Sequence, residues 1–201
     1  MRHAYALLGL SFLIVFTGAF ILFERAQAPT NESLSSDTTS SMQLSLTSSA
    51  FEPNGIIPGV HTCDGENTNP PLSIANVPTE AKSLVLVMDD PDIPAEVKAK
   101  MNIEIFNHWV VYDIAADTTE IVSGQDIGTL GVNSAGNNAY TGPCPPSEYE
   151  PYEHRYVFRL YAVNRMYDGE SEPTLDVLEA WAKEHALESA ELIGRYSRNG
   201  Q

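Results

Sequence analysis

The chain has 201 residues, 27 of them acidic against 11 basic, for a formal charge of −16; that is room for one domain with additions rather than two. The acidic excess repels phosphate backbones and excludes broad nucleic-acid binding, while two cysteines exclude a disulfide-dense mini-protein and a four-cysteine zinc site. A hydrophobic fraction of 43% with only 19% charged residues supplies a real core, and thirteen prolines and thirteen glycines imply many turns, which leans toward β architecture.

Arg2 and His3 precede an apolar run, residues 4–23, that meets no charge until Glu24 and Arg25. About 20 such residues suffice to cross a bilayer as a helix. Two readings of residues 1–28 follow. As an uncleaved anchor, they leave the basic front end in the cytoplasm and the rest on the extracytoplasmic side. As a signal peptide, they are cut after Ala26-Gln27-Ala28 and release a secreted or periplasmic protein. Pro29 just past the cut, and an apolar run longer than a signal peptide needs, favour the anchor. Residues 29–41 are rich in Ser and Thr and read as a flexible tether, so the folded body is expected over residues 42–201.

Within that body Met42, Leu44 and Leu46 alternate with polar residues, the period of a half-buried strand. Turn residues crowd 51–61. Residues 83–88, Ser-Leu-Val-Leu-Val-Met, form a continuous apolar run of strand length and predict a strand buried on both faces. Residues 108–114 and 155–163 are further strands, rich in β-branched and aromatic side chains. Residues 124–153 show little periodicity and many Gly and Pro; long ordered loops of this kind commonly carry function. Near the C-terminus Leu175, Leu178, Trp181, Ala182 and His185 fall at helical spacing, with Pro173 and Thr174 as start signals. Ala186, Ala190 and Ile193 extend the stripe toward Gly194, which predicts one helix, or two short ones, over this piece.

Three clusters carry chemistry. Asp89-Asp90-Pro91-Asp92-Ile93-Pro94 places three carboxylates on a stiff turn at a strand end, where each needs a donor. Asn107-His108-Trp109 sets an imidazole at the start of an apolar strand. Gly142-Pro143-Cys144-Pro145-Pro146 is followed by His154-Arg155-Tyr156. Each alone fits a solvated turn or a packed histidine.

Together they resemble the phosphatidylethanolamine-binding protein family, in its bacterial and archaeal Raf-kinase-inhibitor-like branch. The segments that carry the resemblance are Thr62-Cys63-Asp64-Gly65-Glu66 with Pro70-Pro71-Leu72, Asp90-Pro91-Asp92-Ile93-Pro94, His108-Trp109-Val110-Val111, Gly131-Val132-Asn133-Ser134 with Gly136 and Tyr140, Gly142-Pro143-Cys144-Pro145-Pro146, and His154-Arg155-Tyr156-Val157-Phe158 with Leu160-Tyr161-Ala162. They occur in the family's order and cover roughly residues 44–198. The resemblance implies a mainly β fold, a two-sheet antiparallel β-sandwich with a few peripheral helices including a C-terminal one. It implies a small pocket for phosphate-bearing or phospholipid-headgroup anions, with Asp90, His108, His154 and Tyr156 at pocket positions, Gly142 on the rim loop and Phe106 on the wall. It also implies a cis peptide at Ile93-Pro94. The chain departs from the family's pattern at residues 147–153, Ser-Glu-Tyr-Glu-Pro-Tyr-Glu, where a short Gly-containing link is usual; either the segment points to solvent, or it sits at the rim, where those glutamates would favour a cationic or amine-bearing ligand over an anion.

The expected activity is therefore non-catalytic binding of a small anionic ligand, with no cofactor. Two alternatives stand beside it: a protein inhibitor docking on an envelope protease or other signalling enzyme, and a weak hydrolase using Asp90, His108 and Ser134. Ser134 lacks the first glycine of a nucleophile elbow. Asp90, His108 and His154 have the composition of a two-His-one-carboxylate metal set, but the anion pocket is the preferred reading and no metal is expected. Cys63 and Cys144 either form a disulfide, which an extracytoplasmic location permits, or remain thiols; spacing alone does not decide.

Overall fold

The computed structural model describes residues 42–125 and 127–198. The expected anchor and the whole tether lie outside the described residues. Among the described residues no helix is long and apolar enough to cross a membrane.

Among the described residues, nine strands and two α-helices follow in order: β1 Ser45–Ser48, β2 Gly55–Ile56, β3 Leu72–Ala75, β4 Ser83–Asp90, α1 Ala95–Met101, β5 Phe106–Ala115, β6 Glu120–Ile121, β7 Thr129–Leu130, β8 Glu153–Val163, α2 Leu175–His185 and β9 Ala186–Ser197. They form a six-stranded sheet, ordered β2-β9-β8-β4-β5-β7, and a three-stranded sheet, β1-β3-β6. Strand pairs are antiparallel except β2 with β9, which run parallel.

The apolar run of β4 has its explanation in two cores. Leu84, Leu86 and Met88 face the small sheet and pack with Leu46, Leu72, Ile74, Phe158 and Leu160. Val85 and Val87 face the other way, onto Leu175, Leu178 and Ala182 of α2. Because successive side chains alternate between faces, a strand covered on both sides carries no polar alternation. All eight residues of β4 are buried. Truncating one of these leucines to alanine removes burial worth about 2–5 kcal/mol.

The C-terminal piece departs from the helical expectation. The helix ends at His185, and residues 186–197 form β9, paired along its length with β8 from Val163↔Ala186 to Glu153↔Ser197. Ala190, Leu192, Gly194 and Tyr196 alternate inward, so this stretch fits period two as well as the helical stripe, and the ladder offered by β8 selects the strand. Gly194 is not a helix stop. A Cβ there would sit 2.5 Å from Ile57 Cγ1 and 2.9 Å from Phe51 Cε2, so its bare backbone admits the side chains that close this end of the core.

Candidate functional site

The site grows from the end of β4, where the strand runs out of core. Strand parity sends the last two carboxylates to opposite faces. Asp89 points toward α2, where it is ion-paired with Arg159, which also reaches Glu179 at 3.2 Å; burial pushes the Asp89 carboxyl up against the pull of that guanidinium. Asp90, 2% exposed, stays on the sandwich side. Its Oδ1 accepts the Asp92 N–H at 2.8 Å and its Oδ2 meets His154 Nδ1 at 2.6 Å. Asp92 takes a two-pronged bond from Arg155, 2.8 Å from Nε and 2.7 Å from Nη2, and these bonds hold its carboxyl below the usual range. Each carboxylate of the acidic turn therefore has its own donor, which removes the mutual repulsion that the sequence raises.

His108 reaches the same place through a β-bulge. Met88 pairs with Trp109 and Asp89 with Asn107, which leaves His108 as the extra residue on β5. A regular strand would send His108 and Trp109 to opposite faces; the bulge lets both turn inward, Trp109 into the core and His108 to its end. On β8, simple alternation does the same for His154, Tyr156 and Phe158. The rings form a chain: Phe106 to His108 with centroids 4.7 Å apart, His108 to Tyr156 at 5.2 Å edge-on, and Tyr156 to His154 at 6.4 Å stacked.

These groups surround a concavity of about 130 Å³ lined by Asp90, Phe106, His108 and His154, by Ile93, Pro94 and Val97 on one side, and by Thr141, Gly142, Cys144, Pro145 and Pro146 on the other. Tyr156 lies behind this lining, fully buried. Gly142 has a steric reason: a Cβ would meet His61 O at 2.5 Å and Asn67 Oδ1 at 2.6 Å, and its N–H already donates to that Asn67 oxygen at 2.8 Å. Cys63 and Cys144 are joined, with Cα atoms 5.4 Å apart at a sequence separation of 81. Closing a loop of that length is worth about 4 kcal/mol by chain entropy, and it ties the rim loop to the turn at 62–64.

The structure thus brings Asp90, Phe106, His108, Gly142 and His154 to one cavity, with Tyr156 directly behind. Several participants were not singled out in the sequence. Thr141 acts through its carbonyl oxygen, which no side-chain pattern reveals. Val97 comes from α1, for which Pro94 followed by Ala, Glu and Lys was the available signal. One expectation changes. Ile93-Pro94 is trans, and among the described residues the cis bond is Glu150-Pro151. The acidic turn closes instead through the Asp90 Oδ1 bond to Asp92 N–H, and Pro94 leads straight into α1, accepting from Val97 and Lys98 N–H at 3.0 Å each. Residues 147–153 are all exposed, outside the cavity lining, and Glu153 is paired with Arg195 at 2.8 Å.

The polar balance of the cavity is unusual. His154 Nε2 and Tyr156 Oη are buried without a hydrogen-bond partner. The Tyr156 phenol is pushed up by burial and by Asp90 nearby. The His108 imidazole is pushed below its ordinary range, chiefly by burial, with Asp90 opposing and His154 reinforcing. Ser134 Oγ accepts the Asn107 N–H at 2.8 Å, so it supports the backbone of β5 and does not line the cavity. Among the described residues no three His, Cys, Asp or Glu side chains converge in metal-holding geometry; Asp90 is spent on orienting His154.

Comparison with known proteins agrees with this architecture. The family model described as phosphatidylethanolamine-binding protein matches residues 47–197. The chain belongs to this family. A UPF0098 protein of Methanothermobacter thermautotrophicus is 44% identical over 163 residues, covering 77% of this chain and 99% of that one. Among solved structures, a phosphatidylethanolamine-binding protein (PEBP) homologue from Chlamydia trachomatis is 36% identical, with a TM-score of 0.71 over 78% of this chain and 98% of its own. E. coli YbcL shares the fold at 23% identity, with a TM-score of 0.67 over 77% and 98%. Family membership makes this PEBP-like chain a ligand-binding protein in general terms.

The depressed His108 has a consequence for stability. The unfolded chain takes up a proton near pH 6.5, while folded His108 resists it, so stability is fully present above about pH 6.5 and is lost as pH falls toward the folded pKa. Thermal melts from pH 7.5 to 5 should show this loss, and His108→Asn, which preserves a donor toward Thr141 O, should flatten it. An unchanged slope in the variant would assign the loss to other groups.

Proposed function

We propose that the concavity binds a small oxyanion, a phosphate-bearing or phospholipid-headgroup ligand, without turning it over. The observation that carries this reading is the convergence of two imidazoles and a phenol, from two strands far apart in the chain, on one apolar-walled cavity with two of their polar atoms left unpartnered. A buried polar atom without a partner costs on the order of 1–3 kcal/mol, and a ligand that bonds it recovers that cost. Ser134 is occupied by the backbone, which speaks for binding over hydrolysis. A second reading, docking on an envelope protease or other signalling enzyme, is supported by Tyr149 and Tyr152, 42% and 46% exposed, on the segment that joins Pro146 to His154 at the cavity.

We place this activity outside the cytoplasm, with the body tethered by residues 1–28. The apolar run at 4–23 supports the tether, and the exposed Cys63–Cys144 pair suits an oxidising compartment.

Phosphorus NMR titration with phosphoethanolamine should give saturable binding. His108→Ala should weaken it by about 1.5–3 kcal/mol, at least tenfold in Kd; equal affinity would remove His108 from the site. For the tether, intact-mass measurement on the membrane fraction should find residues 1–28 retained. A soluble chain beginning at Pro29 would contradict the anchor.

A further inference from the structure

Hydrogen-bond geometry fixes which nitrogen of each imidazole carries the proton. His108 Nδ1 lies 2.6 Å from Thr141 O, a carbonyl that only accepts, so Nδ1 is the N–H. His154 Nδ1 lies 2.6 Å from Asp90 Oδ2, and the other oxygen of that carboxylate already accepts the Asp92 N–H, so Nδ1 is again the N–H. In a neutral imidazole the second nitrogen is then a lone-pair acceptor. With both rings neutral the cavity holds two Nε2 acceptors, and the Asp90 carboxylate shares its lining. The phenol of Tyr156 is a donor without a bonded partner. The amide N–H of Gly142 on the rim is committed to Asn67.

A fully deprotonated oxyanion suits such a site badly. Its oxygens are acceptors, and they would face two nitrogen lone pairs and a carboxylate in the same lining. An oxyacid that carries one O–H for each nitrogen, as the phosphate monoanion does, suits it well: its two O–H groups donate to the two Nε2 atoms, and a remaining oxygen accepts from Tyr156. We infer that this pocket captures its oxyacid together with a proton, selecting ligands that are protonated or readily protonated near neutral pH and excluding strong-acid anions of the same size and charge. The inference rests on the anion reading of the pocket and adds the protonation class of the ligand. When the dianion binds at pH 8, the buffer gives up one proton to a ligand oxygen, so one O–H bond forms and each O–H points at an Nε2; no P–O bond forms or breaks.

The surroundings agree. Asp90 faces the imidazoles from β4, His154 and Tyr156 from β8, and His108 from β5. Tyr140 lies near Tyr156 on the rim side. The turn after β4 and α1 supply Ile93, Pro94 and Val97 to the lining, and no charged side chain. The Asp92–Arg155 pair flanks His154 with its charges mutually compensated. Burial of His108 further opposes its protonation in the empty pocket, so the incoming acid is the proton's natural carrier.

Phosphate and sulfate separate the cases, being alike in shape while sulfate holds no proton at neutral pH. Calorimetry of the full chain with inorganic phosphate at pH 8, in buffers of different ionisation enthalpy, should show uptake of about one proton per phosphate bound. Affinity should fall about tenfold per pH unit above the phosphate pKa, and sulfate should bind at least tenfold more weakly. His108→Asn, checked for folding by its melt, should reduce both the uptake and the discrimination. Equal binding of the two anions with buffer-independent heats overturns the inference and leaves an anion pocket standing. Proton uptake unchanged in both His108→Asn and His154→Asn also overturns it, by placing the proton elsewhere. Absence of phosphate binding from pH 5.5 to 8 withdraws the anion reading and the inference together.

Discussion

A carboxylate taken out of water at the end of a central strand requires bonded partners, and the Asp90–His154 pair is how this protein meets that requirement. Removing the imidazole strands a buried carboxylate oxygen, at a cost of about 3 kcal/mol or more, well above what an exposed ion pair contributes. The bond also fixes the His154 ring and tautomer, the role a carboxylate plays behind a ligating histidine. The direction in which His154 Nε2 presents its lone pair follows from it, and so does the polarity of the cavity.

The sandwich exists on either side of this pair. Because β4 is sealed by the small sheet on one face and by α2 on the other, its end is the first place where a polar side chain can sit. Parity divides the work there: Asp89 joins Arg159 and Glu179 on the helix side, Asp90 joins His154 on the cavity side. The bulge at His108 then brings a third strand's imidazole to the same end, and the Cys63–Cys144 link holds the opposite wall. The site uses the cut end of the core, so packing and binding are served by the same strands.

Much of this was legible in the sequence, for identifiable reasons. The unbroken run at 83–88 could be a doubly covered strand because nothing polar interrupts it. The ordered segments around Asp90, His108, Gly142 and His154 carried the family resemblance and, through it, the cavity. The C-terminal strand was not legible: Ala186, Ala190 and Ile193 fit a helical stripe, and only the long-range ladder with β8 decides between the two periods. Gly194 was open to reading as a stop because its actual reason, Ile57 and Phe51 pressing against it, comes from residues far away in the chain. The His108 bulge and the Thr141 carbonyl leave no composition signal, since both are matters of backbone register. Ile93-Pro94 was expected cis by resemblance, whereas here the turn is closed by a side-chain bond and continues into α1.

The central claim is about two protons on two rings, and imidazole nitrogen NMR reads it directly. In the ligand-free protein at pH 7.5, long-range proton–nitrogen correlation should place the hydrogen of both His108 and His154 on Nδ1, with Nε2 at the shift of an unprotonated nitrogen. A spectrum showing either ring with its hydrogen on Nε2 would contradict the account.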